Sequence, residues 1–185
     1  MQPTPRELRL ASLILEPRVS MNDMRDEARR INSVYGLVNL LRGCAGLSSV
    51  VEVGSFRGVS TEVFLLFADQ VYAVDPWEGM DAIHKQFLAR VRPYPNVEVM
   101  QARSVDAARE FADRSLDLVY IDGAHDYESV RADLQAWRPK VKPGKWLAGH
   151  DYSAIIEGGA VIRAVDEVLG GPERVFEDAS WLVTV

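Results

Sequence analysis

Four side chains that can bind metal ions or transfer protons follow two apolar runs in the second half of the chain. Asp122 and His125 follow one run, and His150 and Asp151 follow the next. The carboxyl ends of neighbouring parallel strands meet at one edge of a sheet, so we expect Asp122, His150 and Asp151 to converge. Carboxylates suit Mg²⁺, Mn²⁺ or Ca²⁺, and imidazole widens the choice towards Fe²⁺ or Zn²⁺. We predict metal ligands at Asp122, His150 and Asp151.

The same groups also allow acid–base chemistry without a metal. Histidine titrates near working pH, so His125, or alternatively His150, could deprotonate a substrate hydroxyl. An isolated histidine more often makes a structural hydrogen bond, but clustering with acids at two strand ends favours function. The predicted catalytic residues are therefore His125, His150 and Asp122.

A glycine-containing loop lies between an earlier apolar run and a helical segment, over residues 52–61. Glycine permits tight turning, and a helix start offers free N–H groups, so the loop could hold a nucleotide or be a plain turn. Its glycines, Gly54 and Gly58, do not match the G-x-G-x-x-G fingerprint, and Phe56 would block the close approach of a pyrophosphate. Glu52 would face a phosphate badly, but it could attract a cationic group such as an α-ammonium.

Three further polar or aromatic residues follow the next strands. Asp75 lies 21 residues after Gly54, where an acidic side chain can accept both hydroxyls of a ribose. Trp77 could stack on an adenine or cover the core. Ser104 could contact the base or cap the following helix.

Short apolar runs alternate with helical stretches, a pattern that predicts right-handed crossovers and a doubly wound α/β sheet. An antiparallel hairpin is expected from two runs at the end of the sequence, 174–176 and 181–185. The other predicted strands are Ser49–Val53, Gln70–Val74, Val97–Met100, Leu116–Ile121 and Trp146–Ala148. The predicted helices that follow them are Ser60–Ala68, one within 80–92, Val105–Ala112, Tyr127–Trp137 and Ala160–Leu169.

The first part of the chain is predicted to be an irregular arm over residues 1–21, and residues 22–185 a single domain. A helix is expected from Asn22 or Asp23, and Gly43 and Gly46 end it.

Composition limits the function classes. The net charge is −6 and no basic run stands out, so we predict no nucleic-acid partner and favour a small uncharged or cationic ligand. The single cysteine, Cys44, fits a reducing compartment, where it is interpreted as a buried thiol. No signal-peptide core and no apolar run of about 20 residues is present, so we predict a cytoplasmic protein without a membrane partner.

The ordered motifs resemble the class I S-adenosylmethionine-dependent methyltransferases, in particular the small O-methyltransferases that include catechol-type enzymes and Methyltransf_24 proteins. The resemblance covers roughly residues 30–185, and residues 51–61, 74–77, 117–127 and 141–152 carry it. It implies a Rossmann-like, seven-stranded, mostly parallel sheet with helices on both faces and an antiparallel last strand. It also implies O-methylation of a small-molecule hydroxyl, on a sugar, a catechol or a natural product.

The resemblance also implies roles for individual residues. Glu52, Gly54 and Ser60 would hold the methionine part of S-adenosylmethionine, and Asp75 would bind the ribose. Asp122 and Asp151 match positions that bind Mg²⁺ in metal-dependent members. Depending on the alignment, either His150 stands where those members have an acidic residue or Asp151 stands where they have Asn. The predicted cofactor set is Glu52, Gly54, Ser55, Phe56, Gly58, Ser60, Asp75, Trp77, Ser104, Asp122 and His125.

The chain lacks the large N-terminal insert of many such enzymes, so the acceptor pocket could be open or completed by a second subunit in a homodimer. N-methylation remains an alternative to O-methylation. A nicotinamide-dependent oxidoreductase is another, against which Phe56 and Glu52 count. A non-catalytic S-adenosylmethionine-binding protein is a third, although Glu52, Gly54, Gly58 and Asp75 are all intact.

Overall fold

The computed structural model describes residues 8–10, 12 and 27–185, with side chains of the first long helix described from Tyr35 onward. Its centre is a seven-stranded sheet in the order β3-β2-β1-β4-β5-β7-β6. The strands are β1 (Ser49–Val53), β2 (Gln70–Val74), β3 (Val97–Met100), β4 (Leu116–Ile121), β5 (Val141–Gly149), β6 (Arg174–Val175) and β7 (Trp181–Thr184). The helices are α1 (Glu27–Gly43), α2 (Val59–Phe67), α3 (Asp81–Val91), α4 (Ser104–Ala108), α5 (Tyr127–Trp137) and α6 (Ala160–Leu169).

Strand pairing confirms the predicted Rossmann-like fold. Strands β1 to β5 run parallel, and β7 pairs antiparallel with both β5 and β6. The chain fills the sheet outward from β1 towards β3 and then returns to β4 on the other side. The loops after β1 and β4 therefore lie at the topological switch point, where open α/β sheets bind ligands.

Helices cover both faces of the sheet, which explains why the central strands are almost continuously apolar. All six residues of β4 are buried. On one face, side chains of α1, α2 and α3, including Leu37, Phe64 and Phe87, form the core. On the other face, α4, α5 and α6 contribute a second core that includes Leu134 and Val165.

Two element boundaries differ from the sequence prediction by more than one residue. Strand β5 begins at Val141 instead of Trp146, and its pairing with β4 shifts register between Leu116 and Leu118. Helix α4 ends at Ala108 instead of Ala112, because the next amides bond three residues back and tighten the chain into turns. Apolar periodicity does not report such local tightening.

The segment before α1 is predicted to be irregular, but its described residues, 8–10 and 12, are helical. Arg9 forms an ion pair of 2.6 Å with Glu62 on α2, which explains how this short helix is held. Asn22 and Asp23, the predicted helix caps, lie outside the described residues, as does the predicted boundary between arm and domain. The predicted end of α1 at Gly43 is confirmed.

The only cysteine lies just after α1, against the core. The side chain of Cys44 is 7% exposed, and burial raises the pKa of its thiol to about 12. In the part of the chain that the structure describes, no helix combines the length and apolarity needed to cross a bilayer.

Candidate functional site

A cleft of about 1210 Å³ opens at the carboxyl ends of the strands, at the switch point. Its walls are the loops that follow β1, β2, β3 and β4, together with Ser129, Ala132 and Asp133 of α5 and Gln86 and Arg90 of α3. Four consecutive βα loops thus meet around one cavity, which is the arrangement that the motif order predicts.

The loop after β1 comes close to the loop after β4, and Gly54 makes this approach possible. Gly54 has a φ of +88°, and a Cβ built on it would lie 2.1 Å from the carbonyl oxygen of Asp122. Gly58, with a φ of +78°, precedes the first turn of α2. Phe56 has a φ of +45° and is 47% exposed, and the guanidinium of Arg57 lies 5.1 Å from its ring centroid.

Asp75 holds the loops after β1 and β2 together and also lines the cleft. Its Oδ2 accepts a hydrogen bond from the backbone N–H of Phe56 (2.9 Å), and its Oδ1 accepts one from Trp77 (2.8 Å). A carboxylate oxygen can accept more than one hydrogen bond, so both oxygens keep capacity for a ligand.

Trp77, which the sequence analysis places in the cofactor set, packs in the core and does not line the cleft. Its side chain is 1% exposed and stacks on His84, with ring centroids 4.3 Å apart. Its indole N–H donates to the carbonyl of Phe56 (2.9 Å). The positive φ of +45° at Trp77 turns the chain at this point, and the indole lies among the buried side chains.

Glu52 lies directly behind the cleft wall and is fully buried. The hydroxyl of Thr61, on α2, donates to its Oε2. Within the described residues, its Oε1 and the nearby Ser55 hydroxyl have no hydrogen-bond partner. Burial raises the pKa of Glu52 to about 7, so a cationic group in the cleft would favour its ionised form.

Ser104 begins α4, lines the cleft and connects two residues of α5. Its Oγ accepts a hydrogen bond from the indole N–H of Trp137 (2.9 Å) and is hydrogen-bonded to the carboxyl group of Asp133. Asp133 also lines the cleft, and sequence reasoning missed it. The available signal was an acidic residue on the apolar face of α5, between Val130 and Trp137 at helical spacing.

The loops after β4 and β5 bring together a corner of two acids and two histidines. His125 Nε2 lies 2.7 Å from Asp151 Oδ2 and 3.9 Å from Asp122 Oδ1. One possible ligand atom from each of Asp122, His125 and Asp151 lies within 4.8 Å of the other two. His150 is not in this group, although its Nδ1 lies 3.1 Å from Asp151 Oδ1.

Of the predicted metal set Asp122, His150 and Asp151, the structure groups Asp122 and Asp151 with His125 and leaves His150 outside the group. Asp151 has a φ of +61°, and its carboxylate lies against both rings. The backbone carbonyl of His150 accepts a hydrogen bond from the indole of Trp181, which ties this residue to β7.

The histidines and the carboxyl groups of the corner shift one another's pKa values. The nearby carboxyl groups of Asp122 and Asp151 raise the pKa of His125 to about 10. Burial alone would lower the pKa of His150, but Asp151, Asp122 and Asp178 raise it to about 9. Burial opposes ionisation of Asp151, yet the two rings hold the pKa of its carboxyl well below the usual value. At neutral pH His125 therefore carries a proton, which it must release before it can act as a base.

The donor set of the corner fits a divalent cation. Two carboxylates and one imidazole are a common combination for such ions, and imidazole binds them in its neutral form. A cation would replace the proton that His125 otherwise holds between the two carboxylates.

The predicted site residues separate into two groups. Glu52, Gly58, His150 and Asp151 lie outside the cleft wall, as does Trp77. The residues that line it are Gly54, Ser55, Phe56, Ser60, Asp75, Ser104, Asp122 and His125.

Arginine side chains also reach the cleft wall, and sequence reasoning did not identify them. Arg90 on α3 lines the cleft and forms an ion pair of 3.0 Å with Glu62. Glu62 is 2% exposed and also pairs with Arg9 and with the hydroxyl of Tyr94 (2.5 Å). This buried carboxylate connects the first described helix to the cleft.

Residues 51–152 match the family model Methyltransf_24, described as a methyltransferase domain. The uncharacterized protein y4gI of Sinorhizobium fredii is 28% identical over 116 residues, and the match covers 55% of this chain and 13% of that protein. The chain thus spans a small part of the curated relative that it matches.

Solved structures show the same fold at low sequence identity. A protein from Corynebacterium glutamicum superposes with a TM-score of 0.60 at 15% identity, covering 100% of this chain and 91% of that one. Phosphoethanolamine N-methyltransferase 1 of Haemonchus contortus, solved with phosphoethanolamine and S-adenosylhomocysteine, gives a TM-score of 0.58 at 14% identity. That match covers 80% of this chain and 32% of the other.

Proposed function

Because the chain belongs to the Methyltransf_24 family of methyltransferase domains, we propose that it transfers a methyl group from S-adenosylmethionine to a hydroxyl of a small molecule. The observation that carries this proposal is the single cleft in which the Gly54 loop, Asp75 and the Asp122–His125 corner meet. The net charge of −6 supports a small-molecule acceptor over a nucleic acid.

The loops after β1 and β2 would bind the cofactor. S-adenosylmethionine, when bound, supplies an electrophilic methyl group on a sulfonium centre. Free N–H groups at the start of α2 and the hydroxyl of Ser60 would orient its methionine end, with the negative charge of Glu52 behind them. The free acceptor capacity of Asp75 suits ribose hydroxyls.

The corner would receive the acceptor. Asp122 and His125 both line the cleft, so an acceptor oxygen held between them would face the cofactor loop. If no metal ion is bound, Asp122 and a deprotonated His125 are the lining groups of the corner that would take the hydroxyl proton. Orientation of the acceptor and exclusion of water are the main contributions expected from the protein.

A divalent cation would be held by Asp122, His125 and Asp151, where it would lower the pKa of the acceptor hydroxyl. Two carboxylates favour hard cations that also bind oxygen, which supports a hydroxyl acceptor over an amine. We further propose that a second copy of the chain helps to enclose the acceptor.

Calorimetric titration with S-adenosylmethionine and S-adenosylhomocysteine tests the cofactor assignment. We expect binding of both, and at least about tenfold weaker binding by Asp75→Asn, which loses a charged acceptor. Asp113→Asn is a matched control, since Asp113 pairs with Lys140 away from the cleft. Absence of binding of either ligand at millimolar concentration would contradict the proposal.

Direct Mn²⁺ binding, measured by electron paramagnetic resonance, tests the corner. We expect His125→Gln to weaken binding more than His150→Gln, because the first ring belongs to the three-residue group and the second does not. Equal binding by both variants and the parent protein would exclude this metal site.

An acceptor panel that combines catechols, sugars and matched amines tests the reaction class, with release of S-adenosylhomocysteine as the readout. We expect turnover of hydroxyl compounds. Turnover of amines alone would overturn O-methylation while leaving the methyltransferase assignment in place.

A further inference from the structure

The loop that follows β5 begins at the corner and carries an apolar tip. Residues 153–159, called the flap below, connect Tyr152 to the start of α6. Ile155 in this flap is 72% exposed, the highest fraction among the exposed large apolar side chains of the described residues, and Ala154 is also exposed. Single exposed apolar side chains are common on protein surfaces, so the position of this one decides its meaning. It lies four residues after Asp151.

Both ends of the flap are anchored to the rest of the domain. The backbone N–H of Tyr152 donates to the carbonyl of Ala179 (3.0 Å), and its hydroxyl donates to a carboxylate oxygen of Asp166 (2.7 Å). At the other end, Ala160 is buried at the start of α6. These contacts hold the two ends in place while the segment between them changes conformation.

The middle of the flap contains three successive residues in the left-handed region. Glu157, Gly158 and Gly159 have φ values of +42°, +60° and +81°. Within the described residues, and apart from chain neighbours, no atom lies within 4 Å of a Cβ built on Gly158. A Cβ built on Gly159 meets only Ala154, which belongs to the flap itself. Glycine passes between backbone regions at little cost, so these positions are suited to act as a hinge.

The cleft is open on the side where the flap begins. In the part of the chain that the structure describes, no residue of the flap lines the cleft wall, and the side chain of His125 is 40% exposed. An extended chain spans at most about 3.5 Å per residue, so Ile155 lies within about 14 Å of Asp151. The carboxylate of Asp151 in turn lies 2.7 Å from His125. A movement of the flap can therefore bring Ile155 over an acceptor held at the corner and exclude water from it.

We propose that the flap closes over the acceptor and that Ile155 contacts its body, which makes the site selective for hydroxyl compounds with an apolar face, such as catechols, over free sugars. This inference rests on the proposed function and narrows its acceptor class. The tip, residues 154–156, has no polar side chain that could bond the hydroxyl groups of a sugar. A catechol presents its hydroxyls to the corner along one edge and leaves its ring apolar. Burial of Ile155 against that ring favours binding.

Acceptor kinetics of Ile155 variants test the contact, with catechol and methyl glucoside as probes. We expect the parent protein to use catechol at least about tenfold more efficiently, and Ile155→Ser to raise the KM for catechol about tenfold with a smaller change in kcat. Ile155→Leu keeps the apolar contact and should stay within about twofold of the parent protein. Val175→Ser is the matched control, since Val175 is 50% exposed on the edge strand β6. An unchanged KM for catechol in Ile155→Ser would overturn the inference.

Hydrogen exchange detects closure of the flap without turnover. Catechol added to the complex with S-adenosylhomocysteine should slow exchange of the backbone amides of residues 154–158 by at least about fivefold, because closure removes them from water. The slowing should be smaller in Ile155→Ser. Equal exchange in the parent protein with and without catechol would show that the flap does not close on the acceptor.

Further outcomes separate this inference from the proposed function. If S-adenosylhomocysteine does not bind, the proposed function fails. If it binds but methyl glucoside is preferred, or neither probe is turned over, the inference about the flap fails and the cofactor assignment stands. If Ile155→Ser reduces the sedimenting mass while the KM for catechol stays unchanged, the tip packs against a second copy of the chain and the inference is wrong.

Discussion

The buried carboxyl group of Glu52, behind the cleft wall, lowers the stability of the fold when it is ionised. Its carboxyl group is fully buried, and Thr61 is the partner of one oxygen. Because burial raises the pKa of Glu52 to about 7, ionisation of this group opposes folding at neutral pH. A cationic ligand in the cleft would offset part of this cost.

Replacement of Glu52 by Gln should stabilise the fold in a pH-dependent way. Above pH 7 the parent protein carries the full cost of the buried charge, so we expect a gain of about 3 kcal/mol in the free energy of unfolding at pH 8. The gain should shrink as the pH falls towards the unfolded value near 4.5, and vanish below it. Urea unfolding at pH 8 and pH 4 measures this. An equal gain at both pH values would contradict it.

Gly54 is a second residue whose type is restricted by the structure around the cleft. Gly54→Ala should lower the free energy of unfolding by at least about 3 kcal/mol, since the added Cβ meets the backbone of Asp122 and the φ is positive. Gly46→Ala is the matched control, with a φ of +67° but open space, and should cost about 1 kcal/mol. Thermal and urea unfolding measure both, and similar losses would mean that the loops can separate cheaply.

The positions of the candidate site along the chain could be predicted from the sequence, because polar residues that follow parallel strands meet at one edge of the sheet. It did not allow side-chain direction to be predicted. Trp77 turns into the core at a positive φ, and Asp151, also at a positive φ, lies against His125 as well as against its neighbour His150. Asp133 becomes part of the site only when α5 packs beside α4.

At the scale of elements, periodicity predicted the order of strands and helices, whereas local hydrogen bonds moved the ends of β5 and α4. The contact between the first described helix and α2 could not be read from the pattern, because it depends on a pairing of distant residues. Glu62 makes this contact through Arg9, and it also reaches Arg90 and Tyr94 on the other side.

Loss of Glu62 should therefore cost more than loss of any one partner. Arg9→Ala leaves the carboxylate with Arg90 and Tyr94, and Arg9 is 40% exposed at its side chain, so we expect a loss below about 1 kcal/mol. Glu62→Ala removes the carboxylate that Arg9, Arg90 and Tyr94 share and should cost about 3 kcal/mol. Urea unfolding compares them, and hydrogen exchange should show faster opening of residues 8–12 in both. Equal losses would contradict this shared role.

At the scale of the whole molecule, the antiparallel strand β7 holds the end of β5, next to which His150 and Asp151 lie. The predicted hairpin is confirmed, and the structure adds that Trp181 is fully buried and bonded to the carbonyl of His150. The hydroxyl groups of Tyr120 on β4 and Ser180 lie 2.8 Å apart in the core. The last part of the chain thus fixes the end of β5, from which the corner projects.

A double-mutant cycle can measure this connection. Tyr120→Phe and Ser180→Ala should each cost about 1 to 2 kcal/mol, because each leaves a buried hydroxyl unpaired. The double variant should cost less than the sum, with a coupling of about 1 kcal/mol in urea unfolding. Additive losses would show that the two hydroxyl groups do not act together.

Cys44 gives the molecule an internal reporter of its own opening. Thiol reagents attack the thiolate, and in the folded protein burial suppresses both access and ionisation of this group. Labelling at pH 8 should therefore require the end of α1 to detach from the core, so that the labelling rate follows the opening equilibrium. Since the sequence has one cysteine, labelling adds the mass of one reagent molecule, and mass spectrometry gives the fraction of molecules labelled. A ligand that binds only the folded state should slow the labelling in proportion to its stabilisation of that state.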